Sequence, residues 1–363
     1  MSVIDRYIAR EFTKLFFFAL TIFISLFLLV DFFEKIKMLI DNSASLSQMA
    51  AFFFFSVPMI ITQTIPAAVL LSALITTGMM SRNGEIIAMK ANGLSLYRIA
   101  VPMMFVSVFI CVFSFLFDEF ITPSANYKAD YIRLVEVQKR QSLGTFKQDQ
   151  LWYKGTNAIY SIKMFVPSHN TSPDTLRGIT VYYLDRSFQL TERLDAEKAQ
   201  WTPAGWYFQN IMDTTFPPNA FPSMTHINNK LIDIEQRPDD FKAVQKNTEN
   251  MSFMELRKYI RKLENEGFDA ARYATGMHAK VSFPMVSIIL TIIGMSFSLR
   301  SERSGGFMQS LGAGLVIGFT YWIIHAFFVS FGNSGALPPI LSAWMANILF
   351  SLIALFFFLR VKT

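Results

Sequence analysis

The chain carries little charge for its length. Only 17% of its 363 residues are Asp, Glu, Lys or Arg, against 52% hydrophobic and 15% aromatic. That balance excludes an ordinary soluble protein of this size and points to a membrane. The single cysteine, Cys111, sits inside an apolar run, so neither a disulfide framework nor a thiolate metal site forms within the chain. No glycine is followed by lysine, which removes the phosphate-cradling loop of the P-loop ATPases. There is no His-Glu-x-x-His zinc site and no Gly-x-Ser-x-Gly nucleophile turn. The four histidines, His169, His226, His278 and His325, are too scattered for a local ligand set. The expectation is a noncatalytic chain without cofactor or metal. The net charge of +6 does not read as nucleic-acid binding, because the basic residues form no patch with interleaved aromatics and many flank apolar stretches.

Long apolar runs are present instead, concentrated at the two ends. A helix needs about 20 apolar residues to cross the hydrocarbon core, where only internal hydrogen bonding satisfies the backbone. Six stretches qualify: 12–33, 52–80, 99–121, 281–299, 307–331 and 337–359. Basic residues precede the first, as in a signal peptide. No small-x-small cleavage site follows it, so it reads as a retained helix. Pro58 and Pro66 predict a kinked or partly re-entrant second span. The fold class expected is an α-helical membrane protein, three spans plus three, with an all-β domain inserted between them. The divisions fall at 1–121, 122–252, 253–276 and 277–363.

Orientation follows from the short segments. Arg6, Arg10 and Lys14, then Arg82, Lys90 and Arg98, then Arg300 and Arg303, and finally Arg360 and Lys362 all fall on one side. The opposite loop, 332–336, carries no basic residue, so the termini are predicted to be cytoplasmic and the middle domain outside.

Within 150–234, short aromatic and β-branched runs such as Leu151-Trp152-Tyr153, Ile159-Tyr160-Ser161-Ile162 and Gly205-Trp206-Tyr207-Phe208 alternate with turn formers including Asn157, Asn170, Asp185 and Pro203. That spacing predicts a sandwich or open barrel and leaves strand order undetermined. Ser252-Phe253-Met254-Glu255 has the form of a capping box, and Gly267 suits a left-handed stop, predicting a helix over 253–266 that leads to the fourth span.

Several residues admit two readings. His325 lies within a span, where an ionisable group is either functional or a hydrogen-bonding link between helices. Asp31, Asp118 and Glu119 read as solvated residues at span ends. Gly312, Gly314 and Gly318, with Ala313, permit close helix approach and either pack helices or form a gate or subunit seam. Lys35 and Lys37 beyond the first span, and Arg133 beyond the third, either snorkel to lipid phosphates or attract an anionic headgroup.

Between the second and third spans stands Ser81-Arg82-Asn83-Gly84-Glu85-Ile86-Ile87-Ala88-Met89-Lys90-Ala91-Asn92-Gly93-Leu94-Ser95. Glu85, Ile86, Met89 and Lys90 lie on a short helix at about 84–92, stopped by Asn92-Gly93. It reads either as an interfacial helix on the headgroups or as a docking knob for a cytoplasmic partner. The Glu-Ile-x-Ala-x-x-Ala-x-Gly-x-Ser pattern resembles the coupling helix of the LptF/LptG permeases, which export lipopolysaccharide from the bacterial inner membrane. The likeness extends to Ile4-Asp5-Arg6-Tyr7-Ile8, Gln150-Leu151-Trp152, the stretch from Asp195-Ala196 to Trp206, Ala279-Lys280 with Pro284, and Leu337-Pro338-Pro339. The opening and closing pieces are more similar to the LptG branch than to the LptF branch.

The resemblance implies a β-jellyroll periplasmic domain and a noncatalytic subunit of an ABC transporter. It would pair with an LptF-like sister permease, sit over an LptB-like ATPase dimer and stand beside an LptC-like protein, passing lipopolysaccharide to a periplasmic bridge. It assigns Glu85 to ATPase contact and Lys35, Lys37 and Arg133, by region, to lipid A phosphates. The alternative is a membrane-anchored periplasmic scaffold for envelope assembly, for which a single span would suffice.

Overall fold

The structure is a computed structural model that describes residues 3–138, 145–147, 150–154, 158–166, 173–185, 189–217, 221–232, 234, 238, 248–265, 269–301 and 307–360. The turn formers Asn157 and Asn170, the stop at Gly267, and Arg303 and Lys362 lie outside these residues. The chain divides into two compact units, Met1–Arg133 with Asn247–Thr363, and Leu134–Lys246.

The first unit is helical. In order come α1 (Val3–Asp41), α2 (Leu46–Arg82), α3 (Glu85–Ala91), α4 (Leu96–Phe120), α5 (Thr122–Tyr131), α6 (Phe253–Asn265), α7 (Ala271–Ser301), α8 (Phe307–Asn333) and α9 (Pro339–Arg360). Six of them, α1, α2, α4, α7, α8 and α9, are long and apolar enough to cross a membrane. The helices run past the apolar stretches that define them. α1 continues to Asp41 and α2 begins at Leu46, since the intrahelical pair Asp31–Lys35 (2.6 Å) and a capping box at Ser45 and Gln48 stabilise the polar outer turns. Of the two expectations for the second span, re-entry is not found: α2 is one helix through both Pro58 and Pro66.

α2 and α7 form the buried centre, while α1 and α8 leave most of their surface uncovered. Small residues let the centre close. A side chain at Gly294 of α7 would meet the Ala73 Cβ at 2.8 Å, and one at Gly314 of α8 would collide with Leu74. Polar side chains bridge the helices: Ser107 and Thr291 hydroxyls are 2.6 Å apart, and Tyr321 Oη donates to Asn347 Oδ1 (2.7 Å) while Asn347 Nδ2 donates to Ser282 O (2.6 Å). With lipid tails as apolar as leucine, such bonds and close packing hold the bundle in place of a hydrophobic drive.

The second unit is an antiparallel sheet of β1 (Thr145–Lys147), β2 (Gln150–Lys154), β3 (Ala158–Val166), β4 (Thr175–Leu184), β5 (Leu190–Thr202), β6 (Gly205–Thr215) and β7 (Ser223–Ile232). The inserted unit is built of strands as expected, apart from the helical turn Ile132–Val137 at its start. Its strand order is sequential, each described strand pairing with the next along the chain. Leu176, Ile179, Val181, Leu194, Ala196, Ala199, Trp206, Phe208 and Ile211 belong to its apolar core.

Those positions do not keep a strict two-residue period. The buried residues change parity between Leu176 and Ile179, between Ala196 and Ala199, and between Phe208 and Ile211. The ladders omit the pairs at 163/178, 178/197, 197/210 and 210/228, which lie on one line across the strands. Along that line Gly178 and Asn210 adopt positive φ, 57° and 56°. This is a crease that reverses the pleat on every strand it crosses and keeps one continuous apolar face. Asn210 is held in its unusual conformation by bonds to Glu197 (2.8 Å) and His226 (2.7 Å).

Candidate functional site

Three constructions in the helical unit have the features of a working site: a short exposed helix at one end, a charged cavity at the other, and an apolar cavity between them.

The short helix is α3. Gly84 at φ 75° turns the chain out of α2, and Gly93 at φ 81° ends α3. The stop is a Schellman motif: Leu94 N donates to Met89 O (3.1 Å) and Gly93 N to Lys90 O (2.9 Å). Ser95 then caps α4 through its hydroxyl and the Arg98 N–H (3.2 Å). The Gly-x-Ser spacing is therefore one helix stop followed at once by one helix start.

α3 is anchored to the start of α1. Ile86 is 4% exposed and packs with Ile8, Phe12, Leu96 and Ile99, with Met89 against the same cluster. Tyr7 Oη donates to Glu85 Oε1 at 3.3 Å, and Asn83 Nδ2 reaches the same oxygen at 3.3 Å. Of the residues the sequence singles out on this helix, Ile86 and Met89 face inward and Lys90 faces solvent, with Glu85 at the margin. The outward apolar residue is Ile87, 67% exposed, beside the exposed Ala88 and Ala91. Two adjacent isoleucines give no phase on so short a helix; burial of Ile86 in the cluster that includes Ile8 decides which turns in.

At the far end of the bundle, about 45 Å along α1 from Asp5 at 1.5 Å per residue, a cavity of about 360 Å³ is walled by Lys35, Asp31 and Glu34 of α1, Asp130 of α5, Arg133, and Glu249 and Asn250. Lys35 and Arg133 thus come together. Lys37 does not belong to this wall and is exposed. Lys35 pairs with Asp31 and its ammonium lies 5.3 Å from the Phe52 ring centroid. Arg133 pairs with Asp130 at 2.6 Å.

Next to it, sharing Phe27 and Gln63, is an apolar cavity of about 360 Å³ between α1, α2, α7 and α8, lined by Phe23, Pro66, Leu70, Leu290, Phe319 and Trp322 among others. Charge at one end and hydrocarbon at the other is the pattern that an amphipathic ligand with an anionic head requires.

The residues read as simple span-end groups have defined partners. Asp118 of α4 pairs with Lys280 of α7 at 2.8 Å, both largely buried. Glu119 accepts from the Phe253 N–H (2.6 Å) and the Met254 N–H (3.2 Å), so it caps α6 from another helix. The Ser252 and Glu255 capping box is also formed, at 3.2 and 3.0 Å. His325 is 9% exposed and stacks on Tyr321 (5.7 Å, 13°). Its Nδ1 has no partner among the described residues, so the expected interhelical hydrogen bond through that atom is not formed. A flat aromatic neighbour suits the ring's face and leaves its edge towards a cavity that also touches Asp118, Lys280 and Gln63.

The sequence model of the lipopolysaccharide export system permease LptF/LptG family matches residues 6–360. The chain belongs to the LptF/LptG family. It is similar to the Escherichia coli (strain K12) lipopolysaccharide export system permease protein LptG, with 24% identity over 99% of this chain and 98% of that protein. It is also similar to the Haemophilus influenzae LptG protein, with 22% identity over 96% of both chains. For an LptF/LptG family member the six apolar helices make the chain a multi-pass membrane protein, and the inserted β unit lies inside the matched span.

Proposed function

We propose that the protein is the LptG-like permease subunit of a lipopolysaccharide exporter in the bacterial inner membrane, itself noncatalytic. The observation that carries the reading is the pairing, in one bundle, of an exposed anchored helix at one end with a charged cavity towards the other that shares Phe27 and Gln63 with an apolar one. α3 faces the cytoplasm and meets an LptB-like ATPase dimer through Glu85, Ile87 and Lys90, with Ile86 and Met89 tying that contact to the bundle. Lys35 and Arg133 meet the phosphates of the lipid, with Lys37 at the periphery, while acyl chains occupy the apolar cavity. An LptF-like sister permease covers the exposed flanks of α1 and α8, and an LptC-like protein stands beside the pair.

In this account, closure of the ATPase moves α3. Because α3 is packed on the first turns of α1, the motion reaches α1, which also walls both cavities, and the lipid is squeezed towards the periplasmic β domain. A scaffold anchored by its spans has no use for a cavity of this polarity. Native mass spectrometry of the tagged protein extracted from its own membranes tests the proposal. A P-loop ATPase, a second six-span permease and bound lipopolysaccharide are expected together; a lone chain carrying only bulk phospholipid would overturn it.

A further inference from the structure

Among the described residues the charged cavity has two cations, and each is paired. Lys35 Nζ sits 2.6 Å from Asp31 Oδ1, and Arg133 Nη2 sits 2.6 Å from Asp130 Oδ1. Asp130 has a second anchor, the Asn250 Nδ2 donor at 2.7 Å. With Glu34 and Glu249 also in the wall, carboxylates outnumber cations there among the described residues. A site built for tight, standing occupation by an anion would not be surrounded in this way, because each carboxylate repels the ligand and competes for its donor.

Two further features point to exchange. Each pair lies within one turn of chain, Asp31 and Lys35 at i, i+4 and Asp130 and Arg133 at i, i+3. The carboxylate therefore travels with its cation through any movement of the helices and remains available at a high, fixed effective concentration. Each pair also leaves one buried polar atom without a partner among the described residues, Asp31 Oδ2 and Arg133 Nε. A guanidinium with a spare N–H can engage a phosphate through two donors at once, whereas its present carboxylate uses only one.

We propose that Asp31 and Asp130 are built-in competitors that set how firmly a lipid phosphate is held. They occupy Lys35 and Arg133 while the cavity is empty, yield them to the phosphate on loading, and take them back to release it. This deepens, and rests on, the assignment of Lys35 and Arg133 to the headgroup. Partly exposed ion pairs are weak, so each carboxylate is expected to lower phosphate affinity about twofold to fivefold. That is enough to hasten release without abolishing loading.

The test measures equilibrium binding and dissociation of two fluorescent probes, lipid A carrying its phosphates and the same lipid dephosphorylated. The whole complex is assayed as isolated in nanodiscs. Asp31→Asn and Asp130→Asn are each expected to tighten the phosphorylated probe about twofold to fivefold, through slower dissociation, with no change for the dephosphorylated probe. Asp31→Glu and Asp130→Glu keep the competing charge and are expected to behave as the unaltered protein, which guards against a variant that merely disturbs assembly. Unchanged or weaker binding of the phosphorylated probe to both Asn variants, or equal tightening of both probes, would overturn the proposal. If Lys35→Ala with Arg133→Ala removes the preference for phosphate while the Asn variants do nothing, the headgroup assignment stands and the competitor role falls. If neither set changes the preference, both fall.

Discussion

Arg98 grips Asp5 with two parallel contacts, Nη1 to Oδ1 at 2.7 Å and Nη2 to Oδ2 at 2.8 Å. This joins the first turn of α1 to the first turn of α4, on either side of α3. Asp5 is 7% exposed and the neighbouring Ile8 is fully buried. The opening Ile4-Asp5-Arg6-Tyr7-Ile8 is thus a seat for α3: Asp5 fixes α4, Tyr7 touches Glu85, and Ile8 and Ile86 belong to one buried apolar cluster. Reversing either charge, Asp5→Arg or Arg98→Asp, is expected to reduce recovery of the ATPase with the permease severalfold, and the double reversal to restore most of it. Co-purification from membranes reads this directly, and a double variant no better than the singles would count against the seat.

The two isoleucines of α3 have separate jobs. Ile86→Ala removes a buried side chain and is expected to cost about 2–5 kcal/mol, seen as a lower midpoint in thermal unfolding of the detergent-solubilised protein. Ile87→Asp changes only the exposed face. It is expected to leave that midpoint within a degree or so, because solvent-face substitutions are near neutral, and to abolish ATPase association.

Gly314 and Gly312 differ in the same way although they are two residues apart. A side chain at Gly314 meets Leu74 of α2, whereas no described residue lies within 4 Å of one at Gly312. Gly314→Val is expected to lower yield and thermal stability sharply and Gly312→Ala to change neither. Equal tolerance at both would refute the close α2–α8 approach.

Removing one partner from the Asp118–Lys280 pair strands the other in a largely buried place. Lys280→Met alone is expected to destabilise by about 3–5 kcal/mol, and the paired change Asp118→Leu with Lys280→Met to recover most of the loss, since a buried pair is replaceable by hydrocarbon more cheaply than it is broken. A thermal-stability cycle over the four proteins gives the coupling.

In the β unit, Glu192 is held above the usual carboxylate range, first by burial and then by the nearby charge of Asp213, with Lys230 opposing. A carboxyl whose folded-state value is raised favours the fold while protonated. Its contribution is complete below the unfolded value and is lost as pH rises through the folded one. Glu192→Gln is therefore expected to raise the midpoint of the β unit's unfolding at neutral pH and to have no effect in acid. Hydrogen exchange of β5 and β6 in the intact protein, compared at the two pH values, measures it.

Much of this was legible in the sequence because it depends on local rules. Six apolar stretches, the Ser252 capping box and the Asn92-Gly93 stop are each written in a few adjacent residues. What escaped depends on contacts between distant segments. Glu119 caps a helix that begins 134 residues later, as its bond to the Phe253 N–H shows. Ile86 and Ile87 are indistinguishable until Ile8 is placed. The crease through Gly178 and Asn210 defeats the two-residue period on which strand reading relies. Lys35 and Arg133 could be picked out as cations near span ends, but their carboxylate partners acquire meaning only once a shared cavity is seen.

In the proposed mechanism ATP hydrolysis drives lipid export through α3. Its most direct test is release of lipopolysaccharide from proteoliposomes containing the complete complex, compared between the unaltered protein and Glu85→Lys. ATP-dependent release is expected from the former and its loss in the latter, with lipopolysaccharide still bound to the purified complex. Undiminished release and ATPase association with Glu85→Lys would contradict it.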